Sequence, residues 1–330
     1  MDSGMRRIAI GAMGGTIAMM PDETGGGVTP SLTADDLLAA VPSLTEIAEI
    51  TAVTLAGAPS PHLTMADLVA AYQFCVAQAE CGADGIVLTH GTDTLEETAY
   101  FLDLVWDRDI PLILTGAMRA PSEPSADGPG NLVAAVRAAS CPELAGMGVL
   151  VVANDEVHLA RTVAKTHATA TWTFASPGWG PIARLAEDIT VMMRPARRPA
   201  ALPVPDPRQV KIPVLESTAA DDGWAIDAVA HDNPDGIVLA SLGVGHLSVP
   251  ARDAAVRAVR SGLPVIFASR TGAGPTLTRA YGYAGSESDL LDLGLIGAGY
   301  LTARKARLLL HVLLCAGHTD LAAAFAEYGA

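Results

Sequence analysis

Residues 85–94 read GIVLTHGTDT. A short apolar, β-prone run, Gly85–Thr89, breaks into the polar loop His90-Gly91-Thr92-Asp93-Thr94, and a helical pattern begins at Leu95. A continuous apolar run of this length fits a strand buried on both faces, as in a parallel sheet. The same rhythm recurs on either side of it. Strand-like runs cover Arg7–Gly11, Ile50–Leu55, Pro111–Thr115 and Gly148–Ala153, with helical stretches at Thr33–Val41, Thr64–Cys81, Leu95–Asp107 and Pro129–Ala139. Alternating strands and helices predict an α/β domain with a parallel sheet covered by helices on both faces. Ligands of such sheets sit outside the carboxyl ends of the strands. Gly14–Thr16, Thr89–Thr94 and Gly116–Arg119 are therefore the loops to search.

The helix starts carry their own signals. Thr33 precedes Asp35-Asp36, Thr64 precedes Asp67, and Thr94 precedes Glu96-Glu97. Each pattern sets a capping hydroxyl before first-turn acids, which the helix dipole favours. Asp127-Gly128-Pro129 reads as an N-cap followed by an early helical proline. From Arg194 the chain turns proline-rich (PARRPAALPVPDPRQVKIP, 195–213), and proline supports neither a sustained helix nor a central strand. Residues 194–212 therefore read as an extended linker between a domain at 1–193 and a smaller α/β domain at 213–330. The second domain has strands at Ile212–Leu215, Gly236–Ala240 and Pro264–Ala268. Its helices are Gly223–Ala230, Pro250–Ser261, Thr302–Cys315 and Thr319–Tyr328.

Bulk properties agree with two domains. The chain has 330 residues, half of them hydrophobic and 17% charged, which is ample for two buried sheets. Its formal charge of −15 argues against a nucleic-acid partner, because phosphate binding needs clustered Lys and Arg. The one basic cluster, Arg194–Arg198, sits among prolines and reads as solvated. No apolar run reaches the length of a membrane span, and no secretory core follows the N-terminal residues, so the expected location is cytoplasmic. The four cysteines show neither CxxC nor CxxH spacing, which points to reduced thiols and to no metal site.

Three segments could carry chemistry. Gly11-Ala-Met-Gly14-Gly15-Thr16 lacks the spacing of a dinucleotide fingerprint, and a loop follows it where a helix is needed. Thr16 is then either a structural residue of a tight turn or a nucleophile. Thr92 and Asp93 crowd polar groups at a strand end, where Asp93 can accept from a substrate ammonium and Thr92 can act as nucleophile or anion donor. Thr94 alone would satisfy a helix cap. His90 by itself reads as structural. Lys165, in Thr162-Val-Ala-Lys-Thr-His167, is either a solvated charge or, if desolvated, a base able to deprotonate a threonine.

Taken together and in this order, the segments resemble the bacterial-type asparaginases, a family of threonine amidohydrolases. Gly14-Gly15-Thr16-Ile17-Ala18 matches the first signature, and His90-Gly-Thr-Asp-Thr-Leu-Glu-Glu-Thr-Ala-Tyr100 the second. Leu114–Arg119, Ser125–Pro129 with Asn131-Leu132, Val151–Asp155, Lys165-Thr166, Gly243–Leu247 and Lys305–Arg307 extend the likeness over nearly the whole chain. The resemblance implies a flavodoxin-like N-terminal domain and hydrolysis of L-asparagine to L-aspartate and ammonia, through a threonyl acyl-enzyme and without cofactor or metal. By the same resemblance Thr16 is the nucleophile, with Thr92, Asp93 and Lys165 as the second catalytic group. Gly15, Ser60, Thr92, Asp93 and the Ala117 carbonyl bind substrate. A neighbour's second domain completes each site through His246 and Glu287, in a homodimer or homotetramer.

Three positions depart from the family. Met13 stands where the first signature has Thr. No Tyr occurs between Thr16 and Tyr72, where the family carries a lid tyrosine, so Thr29, Tyr281 or Tyr283 is expected to take its place. Pro59-Ser60-Pro61-His62 replaces Gly-Ser-Gln, and proline offers no N–H donor. That shifts recognition of the substrate amine onto Asp93 and Glu287 and leaves glutamine, a D-isomer or an N-substituted amide open beside asparagine. It leaves open, too, a catalytically weak relative that binds an amino acid.

Overall fold

The apolar runs become strands, those at the centre of the sheet buried on both faces and the run at 50–55 a largely exposed edge. In the computed structural model, which describes residues 4–21, 28–30, 32–195, 198–207 and 210–329, two units separate at Ala201/Leu202. The first begins with β1 (Arg6–Ala12), β2 (Met19–Pro21), β3 (Val28–Pro30), α1 (Ala34–Ala39), α2 (Leu44–Ile47) and β4 (Ala48–Thr54). It continues with α3 (Met65–Glu80), β5 (Gly85–Thr89), α4 (Leu95–Val105), β6 (Leu112–Thr115), α5 (Gly128–Ala139) and β7 (Val149–Ala153). Short strands follow: β8 (Glu156–Leu159), β9 (Ala164–Lys165), β10 (Phe174–Ala175), β11 (Ala183–Leu185) and β12 (Ile189–Val191).

Eight of these strands form one sheet in the order β12-β11-β8-β7-β6-β5-β1-β4. The pairs from β4 to β7 are parallel, and those from β7 to β12 are antiparallel. The sheet is thus mostly parallel and flanked by helices. Every residue of β5, β6 and β7 is buried. On one face Ile8, Ile10, Val87, Ile113, Leu150 and Val152 join Leu132 and Val136 of α5 and Leu37 of α1 in a continuous core. On the other, α4 is buried nearly all round, with Tyr100 and Phe101 fully enclosed, as befits a helix lying between a sheet and a further helix.

The second unit holds β13 (Val214–Glu216), α6 (Trp224–His231), β14 (Ile237–Ser241), α7 (Val249–Arg260), β15 (Val265–Ser269), α8 (Glu287–Asp292), β16 (Ile296–Gly297), α9 (Ala303–Cys315) and α10 (Leu321–Tyr328). Its sheet, β13-β14-β15-β16, is wholly parallel. Ile237, Leu239, Val265 and Phe267 pack there against Ala251, Ala254 and Ala255 of α7.

Two expected caps do other work. Thr33 and Thr64 form full capping boxes with Asp36 and Asp67. Thr94, by contrast, makes no capping bond; its hydroxyl donates to the Ser60 carbonyl at 3.1 Å. Asp127 does not cap α5 either, because its carboxylate accepts from the Met118 and Arg119 N–H groups. Both side chains are drawn to neighbouring loop groups that have no helical partner. Arg198 is not solvated as read: it donates to the Asp103 carbonyl at 2.7 Å and sets its Nε 3.4 Å from the Asp103 carboxylate. Asp103 is buried and also accepts from Val149 N–H, so Arg198, together with Arg161 at 4.0 Å, supplies its counter-charge.

The Thr64 hydroxyl and then its N–H hold the Asp67 carboxyl below the usual carboxylate range. Thr64→Ala is expected to lower unfolding stability by about 1 kcal/mol at neutral pH. A carboxyl depressed in the folded state stabilises above its unfolded pKa, so the difference from the parent should shrink as the pH falls below about 4. Urea unfolding at several pH values checks both.

Candidate active site

Strand register brings the loops together. Ala12 lies level with Thr89, and Thr89 with Thr115, so the loops leaving β1, β5 and β6 start side by side. The chain adds β4 on one side of β1 and β5, β6 and β7 on the other. The β1/β5 crevice is therefore the switch point at which open α/β sheets bind ligands. Across it, Met13 N–H donates to the Thr89 carbonyl at 2.9 Å.

Glycine is what lets the loops meet. Gly14 and Gly15 both have φ of +86°, a region L side chains avoid. A Cβ on Gly15 would lie 2.3 Å from the Cα and N of Gly91, and one on Gly14 would lie 2.6 Å from the Ala58 carbonyl. One on Gly91 would strike Ser60 at 2.7 Å. The 13–16 loop thus meets the backbone of Ala58 and of Gly91, and Gly91 in turn packs on the Ser60 side chain. Thr16 follows directly, opening a short 3₁₀ turn (Thr16–Ala18) whose Ile17 and Ala18 are buried. Those two residues anchor the turn, and Thr16 itself is half-buried.

Facing this junction is a charged group. Lys165, in β9, reaches Thr92 Oγ1 at 2.9 Å and Asp93 Oδ1 at 2.7 Å. The lysine side chain is 15% exposed, the Asp93 carboxylate 62%. The amine is thus largely withdrawn from water, while the carboxylate is open to a cation in solution. A protonated Nζ donates to both oxygens; a neutral one can accept the Thr92 hydroxyl proton. His90 is fully buried, and its Nδ1 lies 2.7 Å from the Gly91 carbonyl. Burial lowers its pKa to about 4, the bond to Gly91 opposing. It is then neutral at physiological pH, donates from Nδ1 and shapes the loop.

The next loop is fixed from below. Asn131 Nδ2 donates to the Gly116 carbonyl at 2.9 Å, and the Asn131 Oδ1 accepts from Asn154 N–H. Asp127 holds the N–H groups of Met118 and Arg119. Ala117 is buried between these ties.

In the second unit His246 Nε2 lies 3.1 Å from Glu287 Oε2, and the Tyr283 hydroxyl 2.8 Å from His246 Nδ1. Glu287 is wholly buried, and its other oxygen accepts from Ala280 and Tyr281 N–H. Burial alone would raise its carboxyl; the N–H groups of Tyr281, Glu287 itself and Ala280, with His246, outweigh that and hold it low. An ionised Glu287 fixes the proton on Nε2, so Nδ1 accepts from Tyr283. The Tyr281 and Tyr283 rings each meet His246 edge to face.

Residues 7–197 match the family model of the asparaginase N-terminal domain, and residues 211–324 that of the glutaminase/asparaginase C-terminal domain. The chain belongs to the asparaginase family. It is 40% identical over 322 residues to a probable L-asparaginase of Deinococcus radiodurans, covering 96% of this chain and 95% of that protein. It is 36% identical over 285 residues to L-asparaginase 2 of Bacillus subtilis, covering 85% and 74%. A crystal structure of a probable cytoplasmic L-asparaginase from Campylobacter jejuni superposes with a TM-score of 0.87 at 33% identity, covering 98% and 99%.

Of the residues expected at the site, Gly15, Ser60, Thr92, Asp93 and Lys165 converge within the first unit. Thr16 and Ala117 lie on the adjoining loops. His246, Tyr281, Tyr283 and Glu287 gather in the second. Glu287 lies beneath His246, with both oxygens engaged inside the protein. The Thr29 side chain and lid residues 22–27 lie outside the described residues, although the Thr29 backbone pairs with Met20. Among the described residues no cluster of three His, Cys, Asp or Glu could hold a metal, and no helix is long and apolar enough to cross a membrane. Sequence reading missed Glu96, which is buried and accepts the Lys165 N–H. In the sequence it reads only as a first-turn acid of the helix at Leu95, and nothing there signals its contact with Lys165.

Gly15→Ala is expected to abolish activity and lower the melting temperature, since the methyl meets backbone at a positive φ. Gly57→Ala, where a Cβ meets nothing within 4 Å, should do neither. Thermal unfolding and turnover of the two variants check this.

Proposed function

We propose that this chain hydrolyses the side-chain amide of L-asparagine to L-aspartate and ammonia. The observation that carries the reading is the Lys165–Thr92–Asp93 group beside the Gly15–Gly91 junction that carries Thr16. In this scheme the Asp93 carboxylate holds the substrate α-ammonium and Ser60 donates to the α-carboxylate. The amide lies between Gly15, Thr92 and the Ala117 carbonyl. Thr16 Oγ attacks the amide carbon while backbone N–H groups stabilise the oxyanion; the proton lost from the Thr16 hydroxyl passes to the amide nitrogen, the C–N bond breaks, and ammonia leaves the threonyl ester behind. Water then attacks the ester carbon, its proton is relayed through Thr92 and Lys165 to the Thr16 oxygen, and the ester C–O bond breaks to release aspartate.

A second copy of the chain completes the site in this reading, within a dimer or tetramer, and its His246 and Glu287 belong to that contribution. Thr29, Tyr281 or Tyr283 stands in for the lid tyrosine, and the protein works in the cytoplasm. Because Pro59 and Pro61 flank Ser60, a shifted substrate is the second reading: glutamine, a D-isomer or an N-substituted amide.

Ammonia release from purified protein across L- and D-asparagine, glutamine and longer amides tests the proposal. L-Asparagine should turn over fastest, and Thr16→Ala and Lys165→Met should each lower kcat roughly a thousandfold. Undiminished turnover in Thr16→Ala would refute the mechanism. Among Thr29→Val, Tyr281→Phe and Tyr283→Phe, at least one should lose activity; full activity in all three would exclude these residues as the replacement.

A further inference from the structure

Lys165 is an unusual place to keep a reacting amine. It sits in a two-residue strand, β9, outside the main sheet and paired solely with β10 in a two-stranded ladder. Such a ladder is too short to hold its register unaided. The hairpin is tied to itself by Thr166 N–H to the Thr173 carbonyl at 2.8 Å and by Thr166 Oγ1 to the same carbonyl at 2.9 Å. At its root, Thr162 Oγ1 donates to Ser176 Oγ at 3.1 Å, and Ser176 lies 3.0 Å from the buried His158 Nδ1. These bonds shape the hairpin without aiming Lys165 at α4.

The Lys165 N–H goes not to β10 but to the carboxylate of Glu96. Glu96 is 1% exposed and stands in the first turn of α4. The same segment supplies Thr92 and Asp93, the two partners of the lysine Nζ. Lys165 is therefore held at both ends by residues 92–96, main chain at Glu96 and side chain at Thr92 and Asp93. A four-carbon stem anchored at both ends loses the rotamer freedom that would otherwise oppose a fixed Nζ–Oγ contact.

We propose that Glu96 is a positioning residue for catalysis: by accepting the Lys165 N–H it fixes β9 against α4 and thereby sets the Lys165 amine on Thr92. The role needs an acceptor at that point and not the negative charge. It rests on the amidase reading above, and it predicts an effect on the reaction step with little effect on substrate affinity.

Two variants separate the possibilities. Glu96→Gln keeps a carbonyl acceptor in the same volume, and Glu96→Met keeps length and burial but accepts nothing. With L-asparagine, Glu96→Gln should retain kcat within roughly threefold. Glu96→Met should lose roughly thirtyfold or more, with KM within about threefold. In a Lys165→Met background Glu96→Met should cost less than roughly twofold, because the residue acts through the lysine. Hydrogen exchange at the Lys165 amide supplies a readout independent of turnover: slow in the parent and Glu96→Gln, fast in Glu96→Met. Parental kcat in Glu96→Met, an equal loss in both variants, or full additivity with Lys165→Met would overturn the proposal. Should Glu96→Met fail to fold, rapid exchange at Lys165 in a folded Glu96→Gln would overturn it as well. A parent without amidase activity but with a protected Lys165 amide would sink the functional reading and leave the clamp standing.

Discussion

The constraint on which the site depends is the backbone contact between Gly15 and Gly91. Two loops from adjacent parallel strands approach so closely that a single methyl group would overlap the opposite main chain. The contact is possible because β1 and β5 are neighbours in register, and it is placed usefully because the sheet order reverses between them. Moving either loop outward would separate Thr16 from the turn that carries Thr92 and Asp93. Gly14 and Gly15 therefore serve the close approach of the loops. They remove side chains from a junction where two pieces of chemistry must share one crevice.

Around that junction several side chains tie down the loop backbone. Thr94 leaves its helix cap and bonds to Ser60. Asp127 and Asn131 tie the loop at 116–119, and the neutral His90 shapes the turn beneath Thr92. These side chains hold backbone in place, so that few residues need to face a ligand. Asp93 and Lys165 show the division plainly, one open to solvent and the other largely withdrawn.

Much of this was legible in the sequence. The five apolar runs of the first unit all become parallel strands, with ends displaced by at most two residues; β5, β6 and β7 are fully buried and show no competing pattern, while β4 is a mostly exposed edge. The motif loops fall at their carboxyl ends as expected. The antiparallel strands β8 to β12 were not legible, since two to four residues carry no usable period. The behaviour of Thr94 and Asp127 was hidden too: a capping residue and a loop-binding residue look alike until the partner loop is placed. Lys165 and Glu96 depend on burial by elements distant in sequence, which composition does not reveal. His246, Tyr283 and Glu287 were reached through family resemblance, which did not show that Glu287 lies beneath the histidine.

The central claim is that Thr16 becomes covalently acylated during turnover. Acid quenching of the enzyme during steady-state hydrolysis of L-asparagine, followed by peptide mass spectrometry, tests it directly. The account predicts an aspartyl mass on the peptide containing Thr16, absent from Thr16→Ala and lost when substrate is exhausted. An aspartyl adduct on Thr92 instead, or one that persists in Thr16→Ala, would contradict it.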